Sequence, residues 1–121
     1  MKLGLEDNKV IIEASKKEIV DERRFLVVGR KIVDSTRYLS SPKNDGFYQS
    51  AKLLLENILH NPRVFISDRA FTVDMGKANN EIGVIEVNSF SCANLYEMNM
   101  DKVVLAINQL IIDVYRENNK D

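Results

Sequence analysis

One cysteine, one histidine, two prolines and no tryptophan are spread through 121 residues. The lone Cys92 excludes an intramolecular disulfide and suits a reducing compartment. It reads as a small side chain in a turn rather than as a nucleophile. His60 falls where a helical pattern ends and has no recognisable Asp or Ser partner, so capping or surface exposure accounts for it better than catalysis. No apolar run approaches the ~20 residues that a membrane-spanning helix needs, and no apolar signal region opens the chain. The cytoplasm is therefore the expected location, with no membrane partner. Internal repeats and low-complexity segments are also missing. With a net charge of only -1, the chain lacks the basic excess of a nucleic-acid binder.

What is present is ordinary for a globular protein: 45% hydrophobic and 29% charged residues. A chain of this length reads as one domain over residues 1–121. Charge is unevenly divided, with 11 Lys and Arg against 9 Asp and Glu in residues 1–60, and 6 against 9 in residues 61–121. Arg23, Arg24, Arg30, Lys31 and Arg37 crowd into a stretch that reads as a hairpin. Without interleaved aromatics, that basic cluster does not point to nucleic acid.

Residues 1–8 read as a frayed terminus, and the β-branched run Val10-Ile11-Ile12 marks a short strand over 9–13. A polar loop or single helical turn over 14–21 follows. A strand over 22–28, a two-residue turn with Gly29 first and a returning strand over 31–39 then make a hairpin. Unbroken pairing from that turn sets Val28 opposite Lys31, Leu26 opposite Val33, Arg24 opposite Ser35 and Glu22 opposite Arg37, all on one face. Phe25, Val27, Ile32 and Tyr38 take the other face. Glu22, Arg24, Ser35 and Arg37 thus gather as a polar cluster able to clamp phosphate or carboxylate, or equally as a surface ion-pair cluster.

After a loop over 40–46, Phe47, Ala51, Leu54, Leu55 and Ile58 recur at helical spacing until Pro62 ends the helix. Strands over 70–75 and 82–89 flank a polar turn. Val103, Ile107, Leu110, Ile111 and Val114 mark a second helix, with Asp101 as its expected cap. The order β, β, β, α, β, β, α predicts an α+β fold: a mostly antiparallel sheet with two helices packed on one of its faces.

The stretch 83–96 carries the most chemistry. Alternation puts Val84, Glu86 and Asn88 on one face and Ile85 and Val87 on the other. A carboxylate buried in such a run needs a partner, and magnesium is a natural one, because it takes one or two carboxylates and leaves its other positions to water and phosphate. The competing reading is a half-exposed strand with a solvated Glu, since Glu-x-Asn is a short motif. An odd-length loop centred near Asn79 would add Thr72 and Asp74 to that face, with Asp74 diagonal to Glu86. Asp74, Glu86 and Asn88 would then converge as a metal site.

The phrases Asp21-Glu22-Arg23-Arg24-Phe25-Leu26-Val27-Val28, Ser35-Thr36-Arg37-Tyr38, Phe71-Thr72-Val73-Asp74-Met75-Gly76 and the run from Val84 to Tyr96, followed by Asp101-Lys102-Val103-Val104, together resemble the C-terminal part of an ATP-grasp domain of the phage and bacterial R2K clade. The resemblance spans roughly residues 10–107 in the family's order and spacing. It implies that Glu22 and Arg24 match a Glu-x-Arg motif whose arginine contacts nucleotide phosphate. By the same likeness Asp74, Glu86 and Asn88 match the residues that hold magnesium on ATP, and Glu13 lies in the hinge beside adenine.

The implied activity is ATP-dependent carboxylate-amine ligation, with Arg24 and Arg37 stabilising the transferring phosphoryl group. A non-catalytic binding or interaction module that kept the fold is the alternative. Ala93-Asn94 departs from the family's Ser-Gly, which removes a hydroxyl but keeps a residue tolerant of left-handed backbone. A second departure is that the lobe preceding the hinge, with its phosphate-binding lysine, needs on the order of a hundred residues before Lys9. Only eight stand there. A homo-oligomer, or a partner chain that supplies the other lobe, is therefore expected.

Overall fold

Phe25, Leu26, Val27 and Val28 are all buried, without the in-out alternation of a one-sided strand. Such a run demands cover on both faces of the sheet, and it has it. The computed structural model describes residues 19–38, 45–66 and 68–119, and the strand expected over 9–13, with Glu13, lies outside them. Four strands, β1 (Ile19–Val28), β2 (Lys31–Arg37), β3 (Ala70–Ala78) and β4 (Glu81–Ser89), pair antiparallel in the order β2-β1-β3-β4. Helix α1 (Asp45–His60) follows β2, and helix α2 (Met100–Asn118) follows β4 and a short 3-10 turn at Phe90–Cys92. The predicted α+β class with a mostly antiparallel sheet and two helices is the observed one.

The helices lie on opposite faces, not on one. Phe25, Val27, Phe71, Val73 and Met75 pack with Phe47, Ala51, Leu55, Ile58 and Leu59 of α1. Leu26 and Val28 pack with Val103 of α2 and with Met98. Consecutive residues of β1 thus serve different cores, because successive side chains of a strand point to opposite faces.

Two bulges change the register that unbroken alternation predicts. In the β1-β2 hairpin the shift falls between Leu26 and Val27, so Leu26 faces Asp34 and Arg24 faces Thr36 rather than Ser35. Beyond that bulge Ser35 and Arg37 sit with Arg23, on the α1 face. Tyr38 joins Arg24 instead of Phe25. The extra residue in one strand inverts the facing of everything beyond it. The predicted cluster of Glu22, Arg24, Ser35 and Arg37 therefore does not form.

In the β3-β4 hairpin the loop is the two-residue turn Asn79-Asn80, both at positive φ, as a primed turn requires. A shift between Asp74 and Met75 then restores the facing that an odd loop would have given. Asp74 lies directly opposite Glu86, not diagonal to it, and Thr72 lies opposite Asn88. Val84, on the near side of the bulge, faces Met75 in the α1 core. A Cβ at Gly76 would occupy the space of the Ile85 side chain, so the close approach at this bulge depends on glycine there.

Asn99, not Asp101, caps α2: its side-chain oxygen accepts from the backbone N–H groups of Asp101 and Lys102. Arg30 fastens the β1-β2 turn to the end of α1. It adopts φ 65° and donates to the carbonyls of Leu59 and Val64, at 2.9 and 3.2 Å. These bonds hold a non-glycine residue in left-handed backbone and fill the Leu59 carbonyl, which the end of α1 leaves unpaired, together with the Val64 carbonyl just beyond the helix. Arg30→Ala is expected to lower stability by about 1–2 kcal/mol, read as a fall in urea midpoint with unchanged slope.

Candidate functional site

One row crosses the whole sheet on the face that α2 only partly covers: Thr36, Arg24, Asp74 and Glu86, each paired with the next. A second row, Asp34, Leu26, Thr72 and Asn88, runs beside it. Cross-strand pairing therefore gathers residues that lie far apart in sequence.

The centre of the first row is an ion pair. Arg24 Nε donates to Asp74 Oδ1 at 2.8 Å and Arg24 Nη2 to Oδ2 at 3.0 Å, with side-chain exposures of 9% and 1%. The Tyr38 hydroxyl donates to the same Oδ2 at 2.7 Å. Arg24 also donates to Tyr38 Oη and to the Asn94 carbonyl, so four of its five N–H groups are committed. Tyr38 and Tyr96 lie 5.4 and 5.8 Å from the guanidinium carbon. Their ring faces stabilise a cation that burial would otherwise penalise.

These contacts shape the titration of the cluster. The hydrogen bond from Arg24 to Asp74 holds the guanidinium above its ordinary range despite burial. Burial, reinforced by the bond to Asp74, holds the Tyr38 phenol above the usual tyrosine value. Both groups are thus fixed in their protonated forms through the physiological range.

The open part of the site lies to the β4 side. Glu86 is exposed rather than buried, so the buried carboxylate of this row is Asp74 on the neighbouring strand β3, and its partner is Arg24. Asn88 is half-buried two residues along the same face. Thr72, across from Asn88, is fully buried and its hydroxyl has no hydrogen-bond partner. Among the described residues no three His, Cys, Asp or Glu side chains gather as a metal centre. The donor set on offer is two carboxylates and an amide oxygen, which suits a hard cation that keeps water and phosphate in its shell.

The other predicted residues divide between the faces. Glu22 is half-buried next to Arg24 in β1, opposite Gly76. Arg37 sits opposite Arg23 on the α1 side, away from Asp74. Arg23 itself lies 4.4 Å from the Tyr48 ring and donates to Ser35 Oγ. Sequence reasoning missed Tyr38, Thr72, Asn94 and Tyr96 as site residues. The demand that a buried carboxylate be paired was the available signal, and it was spent on Glu86 instead of Asp74.

The connection after β4 is sewn onto the same row. The Glu97 N–H donates to Thr36 Oγ1 and the Asn99 N–H to Asp34 Oδ2. Asn94 Oδ1 accepts from the Tyr96 N–H, which steadies Tyr96 at φ 46°. A cavity of about 340 Å³ lies elsewhere, between the β1-β2 turn and α2, lined by residues such as Lys31, Val33 and Leu110. It includes no side chain of the Arg24 row.

The fold is an α+β lobe, and the comparison with known families places it further. The chain matches the family described as ATP-grasp domain, R2K clade family 3, over residues 1–107, and it belongs to that family. Comparison with curated proteins and with solved structures gives no match. Among the described residues no helix is long and apolar enough to cross a membrane.

Breaking the pair from one side leaves a buried charge without its counter-ion. Asp74→Asn is expected to cost about 3–5 kcal/mol in chemical denaturation, and Arg24→Met combined with Asp74→Leu to recover most of that loss. Tyr38 should also shape the alkaline limb of the stability curve. Its folded pKa is raised, so its contribution is complete below the unfolded value of about 10 and is lost as pH climbs above it. Tyr38→Phe should flatten that limb in melts between neutral and strongly alkaline pH.

Proposed function

We infer that this lobe binds magnesium-nucleotide for ATP-dependent ligation of a carboxylate to an amine. The observation that carries the reading is the cross-sheet row itself: an arginine-locked carboxylate, Asp74, directly beside the exposed Glu86, with Asn88 next on the same open face. Glu86 and Asn88 would hold the ion by one carboxylate oxygen and one amide oxygen. Among the described residues Asp74 Oδ1 accepts one hydrogen bond, so a lone pair on it would serve as a third ligand. Magnesium supplies charge neutralisation on the phosphate oxygens.

The chain's own residues prepare for that occupancy. Thr72 faces Asn88 with an unused hydroxyl oxygen. With the Asn88 oxygen as a ligand, its amide N–H₂ would have Thr72 Oγ1 as an acceptor, which would fix which end of the amide points outward. Arg24 keeps positive charge in the row, and with four N–H groups bound among the described residues the fifth would be its donor to a phosphate oxygen. Glu22 would order the same strand, and Glu13 would lie beside adenine. Arg37, on the far face, is given no phosphate contact in this reading. Phosphoryl transfer draws on charge from both sides of the phosphates, and the described residues supply one side. The second lobe would come from a further segment or a partner chain, in the cytoplasm.

A non-catalytic binding module is the second reading. It is favoured by one observation, the commitment of four Arg24 donors to the protein itself.

Calorimetry separates the readings. Magnesium alone should bind weakly, because phosphate must complete the shell, and magnesium with ADP should bind measurably. Glu86→Gln should weaken that binding about tenfold or more, equivalent to about 1.4 kcal/mol. Failure of the nucleotide to bind with or without magnesium would sink the ligase reading. ADP release with a panel of amino acids, abolished by Glu86→Gln, would show turnover by the chain and remove the module reading.

Thr72→Val tests the amide's orientation with effects of opposite sign. Removing a buried hydroxyl that lacks a partner should raise the stability of the free chain by about 1 kcal/mol. The same change should weaken magnesium-ADP binding several-fold, and Thr72→Ser should restore it. Higher stability with unchanged affinity would mean that Thr72 does not orient Asn88.

A further inference from the structure

Helix α2 is apolar on two sides. Val103, Ala106, Ile107 and Leu110 pack against the sheet. Val104, Leu105, Ile111, Ile112 and Tyr115 point outward, with Leu105 71% and Tyr115 67% exposed. At 100° per residue the five outward side chains fall within an arc of roughly 120°, a continuous stripe along the helix. A surface helix of a soluble domain is normally polar there, and a stripe of this extent marks an interface. The polar residues around it are few. Asn108 sits at the middle of the stripe, Asp101 at its N-terminal end and Arg116 beside its C-terminal end.

We propose that this stripe is a homodimer interface, with α2 packed antiparallel on α2 of a second copy across a two-fold axis at Asn108. A two-fold interface is isologous, so residues equally spaced on either side of the axis meet each other. Val104 then meets Ile112 of the second copy and Leu105 meets Ile111, aliphatic against aliphatic at each level. Asn108 meets its own counterpart, and a carboxamide both donates and accepts, so the one polar residue in the seam is satisfied by itself. A lone Asn in an apolar helix seam is a known device for fixing register.

Charge selects the direction. The antiparallel arrangement sets Asp101 opposite Tyr115 of the second copy, with Arg116 one residue further on and within reach of its carboxylate, twice over. A parallel one would set Asp101 against Asp101 and Arg116 against Arg116. Opposed helix dipoles add to the preference. Glu117 lies on the opposite flank of α2, bound to Arg69, so that bridge is left intact. This proposal stands apart from the nucleotide reading, since none of these side chains belongs to the Arg24 row.

The test is sedimentation velocity on the full chain over a wide concentration range, with circular dichroism to confirm folding of each variant. Wild type should be a dimer that dissociates on dilution, and Leu105→Glu should be a folded monomer. Asp101→Arg and Arg116→Asp should each weaken dimerisation about tenfold, and the double exchange should restore it by rebuilding the pair in reverse. Three results would overturn the proposal. They are a monomer at every concentration, a dimer indifferent to Leu105→Glu, and a stripe protected from hydrogen exchange in the monomer, which would mean that another segment of the same chain covers it.

Discussion

The buried pair of Arg24 and Asp74 is the constraint from which the rest of this lobe follows. A guanidinium and a carboxylate almost without solvent cost several kcal/mol each to desolvate, and only a dense set of hydrogen bonds repays it. The carboxylate receives three such bonds and the guanidinium makes four. Those partners come from the residue just past β2, from β3 and from the connection that follows β4, so satisfying one pair fixes the relation of four chain segments. Asn94, Thr36 and Asp34 then bring the chain to the start of α2, whose inner face closes over Leu26 and Val28. Placement of the second helix is thus partly an electrostatic consequence of the sheet's centre.

How much of this is legible in the sequence depends on parity. Element identity follows from β-branched runs and helical spacing, except that β1 begins at Ile19, within the stretch read as a polar loop or helical turn, and both hairpin turns lie close to where Gly29 and the Asn79-Asn80 region point. Face assignment is less secure, because one unpaired residue reverses everything beyond it. The bulge near Leu26 moves Arg37 off the site and brings Tyr38 onto it. In the second hairpin an even turn and a bulge combine to the facing that an odd loop would give, so Asp74, Glu86 and Asn88 do share a face. The bulge between Asp74 and Met75 has a signature in the adjacent Gly76, which makes room for Ile85, whereas the one between Leu26 and Val27 has none. The helices on opposite faces were legible in principle, since four consecutive buried residues in β1 cannot be served from one side.

The asymmetry of the site bears on what it can do. Arg24, Tyr38 and Asp74 are locked by one another, whereas Glu86 is exposed and Asn88 half-buried. Precise sites are built in this manner, with a rigid inner set that holds position and an outer set free to take a ligand. The same geometry limits the assignment of Arg24 to phosphate, for a guanidinium with one N–H remaining is a weak clamp by itself. Its larger effect is indirect: it sets the orientation of Asp74, and through the register of β3 and β4 it sets where Glu86 stands.

Thr72 shows how the two halves are joined. An unpartnered hydroxyl in a fully buried position costs free energy that a valine of the same shape would not. It lies in the second row, between Leu26, which is packed under α2, and Asn88, at the open margin. A group of this kind is stable only where the surrounding fold carries the cost, and here the two apolar cores on either side of the sheet are what can carry it. The cost becomes intelligible if Asn88 has two arrangements, one of which uses Thr72 as an acceptor. On that view the inner ion pair supplies the rigidity, and the orphaned hydroxyl keeps one of the outer ligands poised between free and bound geometries.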